Sequence, residues 1–129
     1  MNHKEFGTGG EKLALAFLET KGYEIIAKNY KAWRKEIDII AKKDGYIVFA
    51  EVKTRRSANF GTPSQSVGTE KQRHIILAAK KFLLENGRSY SALQPRFDVI
   101  EIYSDKKTAK NYVRHIEGAF ITTRENSRG

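Results

Sequence analysis

The alternation of apolar and polar positions sorts the chain into a short series of helices and strands. Thr8-Gly9-Gly10-Glu11 has the form of a capping box, an apolar run from Leu13 to Leu18 follows it, and Gly22 is a natural C-terminal stop, so the pattern predicts a first helix over 9–21. Residues 23–27 read as a strand, and 29–35, which hold the sole tryptophan, Trp33, read as a polar connection. Two strand-like arms, 36–42 and 46–55, flank Asp44-Gly45, a favourable pair for a type I′ turn. After Arg56, a segment with Ser57, Asn59, Gly61, Pro63 and Ser64 reads as a loop. Thr69 and Gln72 form a second capping box, and Ile75, Ile76, Ala79, Phe82 and Leu83 recur at helical spacing up to Gly87. Residues 97–103 and 111–116 read as final strands around a polar turn at 104–107, and 1–8 and 121–129 as flexible ends. The order helix, strands, helix, strands predicts one domain over 1–129: an α/β fold with a mixed sheet flanked by helices, an α/β/α arrangement.

The hairpin carries the sharpest expectation. With a two-residue turn at Asp44-Gly45, Lys43 pairs with Tyr46, and the same count sets Ile40 opposite Phe49, Asp38 opposite Glu51 and Glu36 opposite Lys53. Residues two apart share a face, so Glu36, Asp38, Glu51 and Lys53 lie together, while Ile37, Ile39, Ala41, Val48, Ala50 and Val52 form the opposite, core-facing side. The acidic side also carries Ile40, Ile47 and Phe49, so it should be covered near the turn, leaving the acids at the edge of a buried region.

Composition narrows the setting. The formal net charge is +9 and the pI is about 9.8, the electrostatic footprint of a nucleic-acid binder, although basic chains also bind anionic membranes. There is no apolar run long enough to span a bilayer, no signal-peptide pattern at the N-terminus, and no cysteine for a disulfide or a zinc-thiolate site, so the expected location is the cytoplasm and no membrane partner is expected.

Two carboxylates facing each other at a buried edge repel, and either a cation or Lys53 must compensate them. One reading is a hard divalent ion, Mg²⁺ or Mn²⁺, on Asp38 and Glu51 with the Val52 carbonyl as a third oxygen, and Lys53 beside it as a catalytic cation for phosphodiester hydrolysis. The other is a cross-strand ion-pair cluster without chemistry.

Asp38 followed by Glu51-Val52-Lys53 resembles the signature of the PD-(D/E)XK nuclease superfamily. The longer pattern Gly10-Glu11, Glu36-Ile37-Asp38-Ile39-Ile40-Ala41, Phe49-Ala50-Glu51-Val52-Lys53-Thr54-Arg55, Lys71-Gln72 and Arg96-Phe97-Asp98-Val99 resembles the YraN-type family of endonuclease-like proteins over nearly the whole chain. The resemblance implies a restriction-endonuclease-like fold, similar to archaeal Holliday junction resolvases, and a metal-dependent endonuclease acting on DNA, branched or structured DNA included. Ile37 stands where the superfamily motif has proline. The resemblance also implies that Glu11 joins the catalytic site; the alternative is that Glu11 only completes the capping box of Thr8. A symmetric junction would be cut by a two-fold dimer, so a homodimer is expected. The competing function is a non-catalytic nucleic-acid-binding module on the same fold.

Around this centre, Arg34, Lys35, Arg55 and Arg56 offer a phosphate track, the alternative for each being plain solvated surface. Lys71 and Arg73 oppose the dipole of the second helix, a cost that a bound phosphate would offset, or one that a basic surface simply tolerates. Gln72 either turns toward the sheet to orient a ligand or only caps with Thr69. Trp33, among Lys31, Arg34 and Lys35, either stacks on an unpaired base or packs against its own domain. His3, His74 and His115 show no metal-binding spacing, and Arg96 with Asp98 reads as a structural ion pair.

Overall fold

A computed structural model describes residues 3–55, 67–105 and 107–127, with side chains described from residue 9. The loop expected after Arg56 lies outside the described residues. The elements run α1 (His3–Thr20), β1 (Glu24–Ala32), β2 (Lys35–Lys43), β3 (Tyr46–Arg55), α2 (Thr69–Glu85), β4 (Gln94–Asp105) and β5 (Lys110–Phe120). The strands form one mixed sheet in the order β1-β2-β3-β4-β5, antiparallel throughout except for the parallel β3–β4 pair. A parallel neighbour requires a crossover, and α2 supplies it.

Each helix covers one face. Ala14 and Leu18 of α1 pack with Ile39, Ala41, Val48, Ala50, Ile100 and Ile102. Ile75, Ile76, Ala79 and Phe82 of α2 pack on the other side with Ile40, Ile47, Phe49, Phe97 and Val99. β3 is therefore buried on both faces, which is why Ile47-Val48-Phe49-Ala50 is a continuous apolar run rather than an alternating one. Full burial of a side chain such as Phe49 contributes about 1.5–3 kcal/mol. Among the described residues, no helix is long and apolar enough to cross a membrane.

The expected hairpin register holds from Lys43–Tyr46 through Ile40–Phe49 to Ile39–Ala50. Asp44 and Gly45 both have positive φ, 51° and 84°, as a type I′ turn requires. Ile39–Ala50 is the last ladder pair. Beyond it, β2 is held by β1 alone, so the expected pairs Asp38–Glu51 and Glu36–Lys53 are not part of the ladder, and Ile37, expected beside Ile39, packs instead in the α2-side cluster.

Several boundaries differ from the sequence pattern. α1 begins at His3, so Thr8 lies inside the helix and not at its N-cap position. β1 continues to Ala32 and joins β2 through a two-residue turn, where a polar connection over 29–35 was expected; pairing with β2 overrides the polar composition of this stretch. α2 takes Gly68 as its N-cap, with no side-chain cap bond, so Thr69 is the first helical residue and not the cap. β4 and β5 are longer than expected. The C-terminal residues expected to be flexible include Asn126, which is 2% exposed and bonds Gln72 and the Ile121 carbonyl through its Nδ2.

Candidate functional site

Where β2 and β3 part, four carboxylates converge. α1 lies close against β3 because residue 10 is glycine: a Cβ there would sit 2.5 Å from Thr54 Oγ1. That approach brings Glu11 down onto β2, where oxygens of Glu11, Glu36 and Asp38 lie within 4.8 Å of one another. Asn29, in the left-handed region (φ 52°) that asparagine tolerates, hydrogen-bonds Glu11 from β1. Past the end of the β2–β3 ladder, the Val52 N–H donates to Asp38 Oδ2 at 2.7 Å, so the aspartate completes the strand edge. Glu51 is 7% exposed; its Oε1 lies 3.6 Å from Lys71 Nζ, and its Oε2 is buried with no hydrogen-bond partner.

These groups are electrostatically uncomfortable. Burial raises the Asp38 pKa to about 7; the charges of Glu51, Glu11 and Glu36 add to the rise, and the Val52 N–H opposes it. Burial also raises Glu51, against the lowering effect of Lys71 and Lys53. Glu11 is raised by desolvation and by Glu36, with the Asn29 bond and Lys28 opposing. Clustered carboxylates with a buried, unpartnered oxygen are a donor set suited to a hard divalent cation, whose opposed oxygen ligands stand roughly 4 Å apart. Glu11, Glu36 and Asp38 could hold such an ion, and the orphaned Glu51 Oε2 points to a further oxygen ligand.

The structure brings Asp38, Glu51 and Glu11 into one region, and it excludes the alternative for Glu11, which sits well inside α1 and cannot cap it. Glu36, which the sequence placed on the acidic face without assigning it to the site, is a full member of the cluster. Val52 enters through its N–H on Asp38. Lys53 acts on Glu51 through its charge, but the ion-pair contact on that carboxylate comes from Lys71.

The outer residues divide. Arg55 donates through Nε to Glu101 Oε2 at 2.7 Å, and Arg114 of β5 donates to Oε1 of the same glutamate, which is 0% exposed. Sequence spacing had no means of finding this Arg-Glu-Arg group, because its members come from separate strands. Gln72 bonds the Val67 carbonyl and Asn126, and Arg73 bonds the Glu125 carbonyl, so both hold the C-terminal segment against α2. Arg34 is exposed at the β1–β2 turn, and Arg56 lies outside the described residues. Asp98 is 0% exposed and accepts from Arg96, His115 and the Gly118 N–H; burial alone would raise its pKa, but these bonds hold it below the usual value. Arg96 and Asp98 are thus the ion pair expected from the sequence.

A family profile described as "Uncharacterised protein family UPF0102" matches residues 10–102, a span that holds Glu11, Glu36, Asp38, Glu51 and Lys53. The chain belongs to the UPF0102 family. A UPF0102 protein of Caldanaerobacter subterraneus subsp. tengcongensis is 44% identical over 121 residues, covering 93% of this chain and 98% of the relative. Similar proteins occur in Caldicellulosiruptor bescii, 47% identical over 120 residues, and Clostridioides difficile, 42% identical over 120 residues; each comparison covers 93% of this chain and 100% of the relative. The YraN-type resemblance drawn from the motifs is this family. The UPF0102 names state no activity, so the function is argued from the site.

Proposed function

We propose that this UPF0102 protein is a Mg²⁺- or Mn²⁺-dependent endonuclease with a restriction-endonuclease-like fold, hydrolysing phosphodiester bonds of DNA, branched or structured DNA included. The observation that carries the reading is the buried, unpartnered Glu51 Oε2 beside a cluster of carboxylates in which burial raises Asp38 and Glu11. Asp38, Glu51, Glu11 and Glu36 hold the ion, which supplies an activated water and charge stabilisation on the phosphodiester. Val52 fixes the Asp38 carboxylate through its N–H. Lys53, on the same strand and face as Glu51, orients the nucleophile or shields the charge that develops on the phosphate.

Incubation with linear, nicked and four-way DNA in Mg²⁺ or Mn²⁺ tests this reading. Cleavage is expected with divalent ion and is expected to disappear in Asp38→Ala; cleavage that survives Asp38→Ala, or its absence on every substrate, sinks the enzyme reading. A second reading, a non-catalytic nucleic-acid-binding module, draws support from Lys71, whose ammonium already offsets the charge of Glu51 at 3.6 Å. It expects DNA binding that weakens with salt but ignores divalent ions. Action on a two-fold symmetric junction also calls for a homodimer, which sedimentation with and without junction DNA would detect.

A further inference from the structure

The tip of the β1–β2 hairpin bears a feature that the acidic site does not use. Ala32 pairs with Lys35, leaving Trp33 and Arg34 as the whole turn. Trp33 has φ 58°, in the left-handed region where glycine or asparagine sits with least strain and a bulky side chain is an outlier. The side chain gains little burial in return, the residue being 69% exposed. Its near neighbours are cationic: Lys35 Nζ lies 5.9 Å from the ring centroid, and Lys81 Nζ, paired with Glu85 Oε2 at 2.7 Å, lies 5.6 Å from it. Lys31 and Arg34 add charge at the same tip. β2 leads directly from this tip to Glu36 and Asp38, with three residues or roughly 10 Å of extended strand from Lys35 to Asp38.

A strained, exposed aromatic surface ringed by cations suits a flat ligand attached to a polyanion. A nucleobase offers a π-face whatever its identity, and its flanking phosphates meet the cations. Paired bases in a duplex keep those faces covered, so the ligand must be unpaired, as at a flap, a loop or a branch point. We propose that Trp33 is a stacking platform for an unpaired nucleobase, with Lys35 and Arg34 holding the adjoining phosphates, and that it presents single-stranded or branched DNA to the acidic site. This rests on the nucleic-acid reading above and gives that reading a substrate class.

Trp33 is the only tryptophan in the chain, so its emission reports on this one position. The full chain, in EDTA to prevent cleavage, is titrated with a labelled oligothymidylate, an abasic oligonucleotide of equal length and a blunt duplex, following tryptophan emission and label anisotropy together. Quenching by oligothymidylate but not by the abasic strand is expected. Trp33→Asn, which relieves the backbone strain while removing the ring, is expected to melt no lower than the wild type and to bind oligothymidylate roughly ten-fold more weakly, with Trp33→Phe recovering part of the loss. Duplex affinity should stay at the wild-type value. If anisotropy shows strand binding while emission is unchanged and Trp33→Asn binds equally well, the platform is refuted and the nucleic-acid reading stands. If no nucleic acid binds, both fail. An emission shift with phosphatidylglycerol vesicles but with no oligonucleotide also overturns the proposal, in favour of a membrane surface.

Discussion

Asp38 concentrates the tension of the site in one side chain. Burial beside Glu51 pushes its carboxyl up to about 7 in the folded protein, against 3.8 ordinarily, so between these values the folded state holds a proton that the unfolded chain has released. Stability therefore falls as pH rises from about 4 through 7 in the metal-free protein, and the raised Glu51 and Glu11 act in the same direction. Asp98, held below its usual value, contributes in the opposite sense only at more acidic pH. Asp38→Asn keeps an acceptor for the Val52 N–H and removes the charge, so it is expected to raise the metal-free Tm near neutral pH by on the order of 3 °C or more while abolishing cleavage. Because ion binding needs deprotonated carboxylates, Mg²⁺ should raise the Tm more at about pH 8 than at about pH 5.5. Thermal melts across pH, with and without Mg²⁺, check both; a Tm in EDTA that climbs from about pH 5 to pH 7 would contradict the raised Asp38.

Among the elements, the seat of α1 on β3 decides whether Glu11 meets Asp38. The contact is tight at Gly10, where even a methyl group obliges Thr54 to turn its hydroxyl away. Gly10→Val adds branched bulk that rotation of Thr54 cannot absorb. It is expected to cost about 1–3 kcal/mol in urea unfolding and to lower metal affinity by lifting Glu11 from the cluster. A variant of wild-type stability and metal affinity would show that α1 is not placed by this contact. The hairpin turn works at the same level: Asp44 and Gly45 accept positive φ, and that turn sets the register that runs to Ile39–Ala50, one residue short of Asp38 and Glu51.

Across the whole molecule, a net charge of +9 coexists with a cluster of carboxylates at one sheet edge. Not every cation is available to a polyanion: Arg55 and Arg114 share Glu101, Arg73 holds the Glu125 carbonyl, and Lys71 faces Glu51. Arg34, exposed at the hairpin tip, is a better phosphate contact than these. In the nucleic-acid reading, Arg34→Ala should weaken binding across sequences and lower the slope of log affinity against log salt by about 1. An unchanged slope would remove Arg34 from the phosphate track.

The local pattern is legible in the chain: the Asp44-Gly45 turn, hence the register of β2 and β3, the apolar face of α2, and the acid-lysine motif on one hairpin. These depend on spacing along a single stretch of chain, and turn geometry with period-two alternation transmits it. Which distant groups share space follows from the folded arrangement alone. Capping signals at Thr8 and Thr69 gave way to longer helical packing and to Gly68, and the polar stretch after Ala27 became strand because β2 was there to pair with it. Glu36 joined Glu11 because the β2–β3 ladder ends at Ile39–Ala50, and Lys71 rather than Lys53 reached Glu51 because α2 starts over that edge. Such contacts follow from packing between elements, which no one-dimensional spacing encodes.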